Sequence, residues 1–563
     1  MTANDSSSSA TDPPRPAELE LDLAGRLPPL PAAFLDGRDL DLLSPLRFAG
    51  PGEMPVGDPP RIDRSELAAA LHTANAAYGH PEAANLAERL ADPATRVVVT
   101  GQQPGLYGGP LLTLTKMAAA VRWAEELTAA GKPTVAVFWV ATEDHDWAEA
   151  AQATLATKSG PRKFDLGDDP APLMPLGMRT MGSALTAATA EMLDALGGED
   201  AAPSVVDAGR WYRPDARIGE AFCRFMVSLL GARAPLMLDS MLSEMKRLQR
   251  PWLLRLVDRR REVEEALARA DRELEARGYP LQVTPQPGMS PLFLLHRQQR
   301  RRIEWLDGDR YALRGLDGSA APISRLRETI EENPAVVSPG ALARAALQDA
   351  LLGTTLQVMG PSELSYLAQA SAVYEVLEVE APWTSLRPQA MVIEERQVRY
   401  LDELGVTLDE LVSSAGDLDA LLTAKLGEDF VGPVKQQIDE VIGGLRGPIM
   451  ELDPTLEKPW RRTREQIGRA FDQLASKAAA AVSRRHDVWR RRLEQVSHAC
   501  VPDGAFQERV LAVIYFVHRF GPGFADDLCS RLRLDPRRLQ AFAMSPAPRA
   551  VPRSAPSRSE EKA

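Results

Sequence analysis

Cysteine is scarce in this 563-residue chain: Cys223, Cys500 and Cys529 lie far apart, with no paired spacing. That excludes a disulfide framework and a paired-cysteine zinc motif, and it fits a reducing compartment. Long apolar runs are missing too. The longest, around residues 135–141, is far short of the roughly 20 residues a membrane-spanning helix needs. Residues 1–16 are rich in Ser and Pro and have no apolar stretch of the secretory type. Positive charge is not in excess: 78 Asp+Glu against 66 Lys+Arg gives a formal net charge of −12. A broad basic face for nucleic acid is therefore not expected. The phosphate-binding patterns Gly-x4-Gly-Lys-Ser/Thr and Gly-x-Gly-x-x-Gly are both missing. Ser338, Ser362 and Ser385 stand in no nucleophile-elbow context, and His72, His80, His296, His486, His498 and His518 lack ligand spacing, so no metal site is expected. These absences leave a cytoplasmic globular protein that engages neither membrane nor nucleic acid.

What is present is concentrated in residues 97–146. An apolar strand, Val97-Val98-Val99-Thr100, runs into Gly101-Gln102-Gln103-Pro104-Gly105-Leu106-Tyr107-Gly108-Gly109-Pro110. A helix follows, with Leu111, Leu114, Ala118, Val121 and Leu127 near one face and Gly131-Lys132-Pro133 as its stop. A second strand, 135–141, then ends in Glu143-Asp144-His145-Asp146. Strand, helix, strand at this spacing implies a right-handed crossover and a parallel sheet. In such sheets ligands bind at the carboxyl edge, where both polar segments fall.

Further along, residues 234–239 read as a third sheet strand ending in Asp239, and residues 243–277 as a long charged helix. Short alternating runs at 292–295, 303–306 and 311–313 read as a small antiparallel insertion. Residues 354–359 return to the core and end at Gly360-Pro361-Ser362-Glu363. From about residue 397 the pattern is helical. Val434, Ile438, Val441 and Leu445 step by four, three and four, a coiled-coil-like seam, and Ile467, Phe471, Leu474, Ala478 and Ala481 continue it on a second helix. The expected organisation is a disordered segment 1–16, a core in two parts (60–240 and 336–396), a connecting insertion 241–335, a coiled-coil domain 397–505, a helical segment 506–545 and a disordered tail 546–563.

Chemically, glycines at 101, 105, 108 and 109 let backbone approach a ligand, and the helix behind them offers free N–H groups. Lys116, two turns into that helix, can meet an anion, and Gln102 and Gln103 can fix a polar substrate. The bland alternative is a turn that merely lets strand and helix pack. Glu143, Asp144 and Asp146 with His145 can hold an amine, take its proton, or bind Mg2+ carried by a nucleotide. The bland reading here is an exposed helix N-terminus, where acids are favoured anyway. The run Arg300-Arg301-Arg302 reads as a solvated strand edge.

These residues resemble a known family. Thr100-Gly101-Gln102-Gln103-x-Gly105-Leu106-x-x-Gly109-Pro110 with Lys116, and Phe138-Trp139-Val140-Ala141-Thr142-Glu143-Asp144-His145-Asp146, are similar to the signatures of the bacillithiol-biosynthesis cysteine-adding enzymes. The similarity continues through Gly278-Tyr279-Pro280, Phe293, Ser338-Pro339, Arg344, Gln348-Asp349, Gly360-Pro361-Ser362-Glu363, Tyr366, Pro502-Asp503-Gly504 and Phe506-Gln507-Glu508-Arg509, about residues 60–525 in all. The resemblance implies an α/β Rossmann-like core of the nucleotidyltransferase and class I synthetase type, connecting-peptide insertions, and a coiled coil that supports a homodimer. It implies a ligase that joins the cysteine carboxyl to the amine of glucosaminyl-malate, with ATP as co-substrate and Mg2+ as its companion. The implied catalytic residues are Gln102, Gln103, Lys116, Glu143, Asp144, His145 and Asp146. Those implied to bind substrate or nucleotide are Thr100, Gly101, Gly105, Gly109, Gly360, Ser362 and Glu363. The synthetase motifs His-x-Gly-His and Lys-Met-Ser-Lys-Ser are absent, and the end of the chain after about Cys529 departs from the family pattern. Two other readings stand beside this one: a related nucleotidyl- or acyl-transferase acting on another amine, and a non-catalytic nucleotide-binding coiled-coil scaffold.

Overall fold

A computed structural model describes residues 19–547 apart from 56, 58, 59, 61, 158, 200, 201 and 415; the segments 1–16 and 548–563 lie outside the described residues. The larger of two units holds residues 22–391 and 498–539. Its centre is a six-stranded sheet built from β1 (Arg47–Phe48), β2 (Arg96–Gln102), β3 (Thr134–Val140), β4 (Leu236–Asp239), β5 (Leu356–Met359) and β6 (Trp383–Leu386), in spatial order β1-β6-β5-β2-β3-β4. Every neighbouring pair is parallel. Leaving β1 aside, the order is that of a doubly wound nucleotide-binding sheet, and the direction of winding reverses between β2 and β5.

The sequence explains this arrangement locally. All seven residues of β3, Thr-Val-Ala-Val-Phe-Trp-Val, are buried, which is what a central parallel strand covered on both faces requires. The crossover from β2 to β3 is helix α1 (Leu111–Ala129), whose Leu111, Leu114, Met117, Ala118 and Leu127 are fully buried. On one face, Val97, Val99, Val135, Val137, Trp139, Leu236 and Leu238 pack with Leu67, Leu71, Leu90 and Met245. Arg64 locks this layer without any carboxylate. Its buried guanidinium donates to the carbonyls of Leu90 (2.8 Å), Asp92 (2.6 Å), Thr95 (2.8 Å) and Leu352 (3.1 Å).

Between β4 and β5 the chain inserts a five-stranded antiparallel sheet, Ala321–Pro322, Arg310–Leu313, Gln299–Leu306, Met289–His296 and Val337–Pro339 in spatial order. The charged stretch at 243–277 is two helices, α2 (Ser243–Asp258) and Arg260–Ala276, broken at Arg259. The smaller unit comprises residues 392–497 and 540–545. In it, helices Gly432–Gly444 and Glu457–Arg485 form the hairpin, laced by Arg464–Asp439 (2.6 Å) and by the Trp460 indole donating to the Ile442 carbonyl (3.0 Å). The segment expected to be helical to residue 545 ends instead in a strand, Arg538–Met544, in which all residues after Arg538 are buried. Among the described residues no helix is long and apolar enough to cross a membrane.

Candidate active site

The reversal point between β2 and β5 opens into a cleft of about 520 Å³. The ends of β2 and β3 bring Gly101, Gln102, Gln103, Glu143, Asp144 and His145 to its wall. Lys116 comes from α1, and Gly360, Ser362 and Glu363 come from the start of helix α3 (Pro361–Ala370).

Lys116 is the hub. Its buried ammonium donates to Gly101 O (2.7 Å) and Gln102 Oε1 (2.8 Å) and pairs with Glu363 at 2.5 Å. Glu363 turns back to accept the Gly360 N–H at 2.7 Å. The two sides of the reversal point are thereby tied together. Burial disfavours the Glu363 charge, but Lys116, with Arg344 behind it, still holds its carboxyl below the usual glutamate range.

The acid cluster divides its labour. Glu143 is buried and ion-paired with the buried Lys246 of α2, while its N–H donates to Ser240 Oγ (3.1 Å). Asp144 accepts from Gln103 Nε2 and from the His145 N–H (2.7 Å), with Arg300 at 3.9 Å. Burial pushes the His145 imidazole below its ordinary pKa, opposed by Asp144 and aided by Arg300. Asp146 faces away from this cleft. It caps the short helix Trp147–Ala150 by accepting the Glu149 N–H (3.1 Å) and borders an adjoining hollow.

Three other expected residues sit behind the wall. Thr100 is buried and donates to Val358 O (2.8 Å), which stitches β2 to β5. A Cβ on Gly105 would meet Gly109 Cα at 2.6 Å, and Gly109 itself has φ +65°, so these two glycines close the loop on itself. Even Gly101, which does line the cleft, is glycine for packing: a Cβ would lie 2.8 Å from Trp139 O.

Several wall residues escaped the reading of cleft chemistry from the sequence. Glu149 accepts from Gln102 Nε2 (3.0 Å). Arg300 corrects the solvated-edge expectation. Arg300 is buried, donates to Ser338 Oγ (3.0 Å) and Pro339 O (2.9 Å), and stacks 3.8 Å from the centre of the Phe293 ring. Arg302 stacks on the same ring at 4.5 Å. Alternation along the strand puts 300 and 302 on the cleft face and 301 on the other face, with the buried Ile303. Arg387 gave no local signal. It is fully buried and held by Glu508 in a two-pronged pair (2.6 and 2.9 Å). Gln103 Oε1, Trp139 Nε1, His145 Nδ1 and Arg387 Nε, all of residues that line the cleft, are buried without a hydrogen-bond partner among the described residues. Buried polar atoms are normally satisfied, so these four leave hydrogen-bonding capacity unspent. Among the described residues no three His, Cys, Asp or Glu side chains converge as a metal site.

The family model for the bacillithiol biosynthesis BshC N-terminal Rossmann-like domain matches residues 56–388, and that for the BshC C-terminal coiled-coil domain matches residues 390–534. Curated relatives carry the name "Putative cysteine ligase BshC". The one from Salinibacter ruber is 31% identical and covers 84% of this chain and 87% of its own. Those from Solibacter usitatus (28%; 81% and 85%) and Koribacter versatilis (31%; 83% and 87%) are similar. A crystal structure of Mycobacterium tuberculosis methionyl-tRNA synthetase aligns over 81% of this chain at 9% identity and a TM-score of 0.21, too distant to bear on the fold. Both halves of the chain, the parallel core and the coiled-coil hairpin, thus match one pair of models in one order: the chain belongs to the BshC family.

Proposed function

We propose that this chain is a cysteine ligase that forms an amide, a C–N bond, between L-cysteine and the amine of glucosaminyl-malate, with ATP as the activating co-substrate. The name of the relatives suggests the amino acid. The observation that carries the reading is the composition of the cleft at the reversal point. Asp144, Glu149 and His145 line it together with Arg302 and Arg344, and Arg300 lies 3.9 Å from Asp144. Arg302 and Arg344 have only neutral hydrogen-bond partners among the described residues. A site that holds both bases and cations with neutral partners suits the condensation of an amine with an anionic partner.

ATP, when bound, supplies activation, taking up one oxygen of the cysteine carboxyl so that it can leave. The chain's residues do the rest. The sugar nitrogen attacks the carboxyl carbon and gives up a proton, and the Asp144–His145 pair is placed to receive it. Asp144 and Glu149 are the carboxylates in reach of an ammonium, since Glu143 is engaged by Lys246. Arg300 and Arg302 face the acidic end of the acceptor. Any Mg2+ enters on the nucleotide phosphates. A homodimer through the coiled-coil hairpin completes the proposal. Val434, Val441, Leu445 and Leu474 are 44–68% exposed there, an apolar stripe suited to a second copy. The three cysteines are buried, in keeping with a cytoplasmic setting. The test is incubation of the purified chain with cysteine, glucosaminyl-malate and Mg-ATP, followed by mass spectrometry for the conjugate. No conjugate from folded protein under any nucleotide condition overturns the proposal.

A further inference from the structure

The first turn of α3 carries unspent hydrogen-bonding capacity. Gly360 precedes it in extended conformation and Pro361 opens it. Ser362, the second helical residue, has an N–H with no intrahelical acceptor, and its hydroxyl has no partner among the described residues. Immediately beside it lies Arg387, 2% exposed, with both terminal nitrogens taken by Glu508 and its Nε–H left without an acceptor. A point at the position of a Cβ on Gly360 is 3.8 Å from Arg387 Nε, 3.8 Å from Lys116 Cε and 3.1 Å from Glu363 Oε2. The absence of a side chain at 360 therefore leaves a hollow into which these groups look. Arg344 reaches the same helix, donating to Tyr366 OH (2.9 Å) and Gln348 Oε1 (3.0 Å), both neutral.

The charges at this spot do not cancel. Lys116 is ion-paired with Glu363 and Arg387 with Glu508, while Arg344 makes no ion pair among the described residues and meets Glu363 and Asp349 only through space. The exposed Arg509 on the cleft rim adds a second positive charge without a partner among the described residues. A helix N-terminus, a buried unsatisfied guanidinium N–H and an unpaired arginine converge, and each of the three favours an anion.

We infer that the hollow above Gly360 is an oxyanion-binding subsite in which Ser362, Arg387 Nε and Arg344 hold one carboxylate or phosphate group of a substrate. The inference deepens the reading of the cleft as a ligase site. Two sources of such a group exist in that reaction: a nucleotide phosphate and the carboxylate of an acid substrate. Placing the anion here would leave Asp144 and His145 free for the amine. Gly360 is the selective element. Its φ of −74° is open to any residue, so a Cβ at 360 acts on the space and not on the backbone, pressing on Glu363 Oε2 at 3.1 Å.

Isothermal titration of the full chain with inorganic pyrophosphate and, separately, with L-malate at constant ionic strength tests the subsite. Wild type is expected to bind one of the two probes, and the probe that binds names the source. Arg344→Gln is expected to weaken that binding at least tenfold. Gly360→Ala keeps every charge and fills the hollow, and it is expected to do the same while melting close to wild type. Binding of neither probe by wild type overturns the subsite, as does equal binding by wild type and both variants. Failure of the ligase reading looks different: a probe binds and is displaced by the variants, yet no cysteine conjugate forms.

Discussion

Replacing Lys116 by Met keeps the length of the side chain and removes the hub of the cleft. The ammonium is 3% exposed and holds Glu363 at 2.5 Å, along with Gly101 O and Gln102 Oε1. Removing one partner of a buried ion pair costs about 3–5 kcal/mol, because the survivor is left uncompensated. Here Glu363 is one-fifth exposed and keeps the Gly360 N–H, which places the ion-pair loss at the low end. The two oxygens left without a donor add roughly 1 kcal/mol to the loss, since a buried acceptor left unmade carries a desolvation cost. The expected destabilisation of Lys116→Met is therefore about 4 kcal/mol, read as the difference in urea unfolding followed by tryptophan fluorescence. Adding Glu363→Gln removes the stranded charge, so the double variant is expected to regain about 2 kcal/mol, a coupling within the range for contacting residues. A loss below about 1 kcal/mol for Lys116→Met, or simple addition of the two single effects, refutes the pairing as drawn.

The remaining expectations concern packing, pH and assembly. Gly101→Ala drives a Cβ to 2.8 Å from Trp139 O. It is expected to cost about 1–3 kcal/mol as overpacking and to lower the melting temperature, and an unchanged melt contradicts the contact. Asp349 is buried behind β5 among Tyr374, Gln357 and Gln348, and burial pushes its carboxyl up to about 6. Because the folded value lies above the unfolded one, its contribution is full below about pH 4 and disappears as pH rises through 6. Wild type should lose about 2 kcal/mol between pH 4.5 and 8 through this group, and Asp349→Asn should lose none of it. A wild type–variant difference that stays constant with pH refutes the assignment. Val441→Glu, on a residue 68% exposed, is expected to convert a homodimer to monomer in light scattering and leave the melt of the monomer intact. A wild type that is itself monomeric contradicts the dimer proposal.

The legible parts of the structure were those written locally. The β2–α1–β3 unit follows from apolar runs of strand length flanking a helical stripe, and its carboxyl edge follows from the connectivity. Asp144 and His145 could be placed on that edge because only Ala141, Thr142 and Glu143 separate them from the end of the strand. Partners supplied by tertiary folding were not legible. Arg387 reaches the cleft from β6 and is fixed by Glu508, 121 residues away. Lys246, the counter-ion of Glu143, lies in a charged helix among several other cations, and nothing in its sequence singles it out. The break at Arg259 has neither Pro nor Gly to announce it, since the inserted Pro251 sits mid-helix. Glycine is ambiguous by nature: spacing alone cannot distinguish a backbone that must approach a ligand from one that must approach itself, as Gly105 and Gly109 do.

The central claim is that the cleft at the β2–β5 reversal joins cysteine to an amine with its own acid and base groups. The most direct measurement is single-turnover formation of the cysteine–glucosaminyl-malate conjugate by wild type, Asp144→Asn and Arg302→Gln, with cysteine and Mg-ATP in excess. The account predicts conjugate from wild type, a fall of at least a hundredfold in rate for Asp144→Asn, as loss of a general base implies, and a rise in acceptor KM for Arg302→Gln. Conjugate formed at the wild-type rate by folded Asp144→Asn would contradict it.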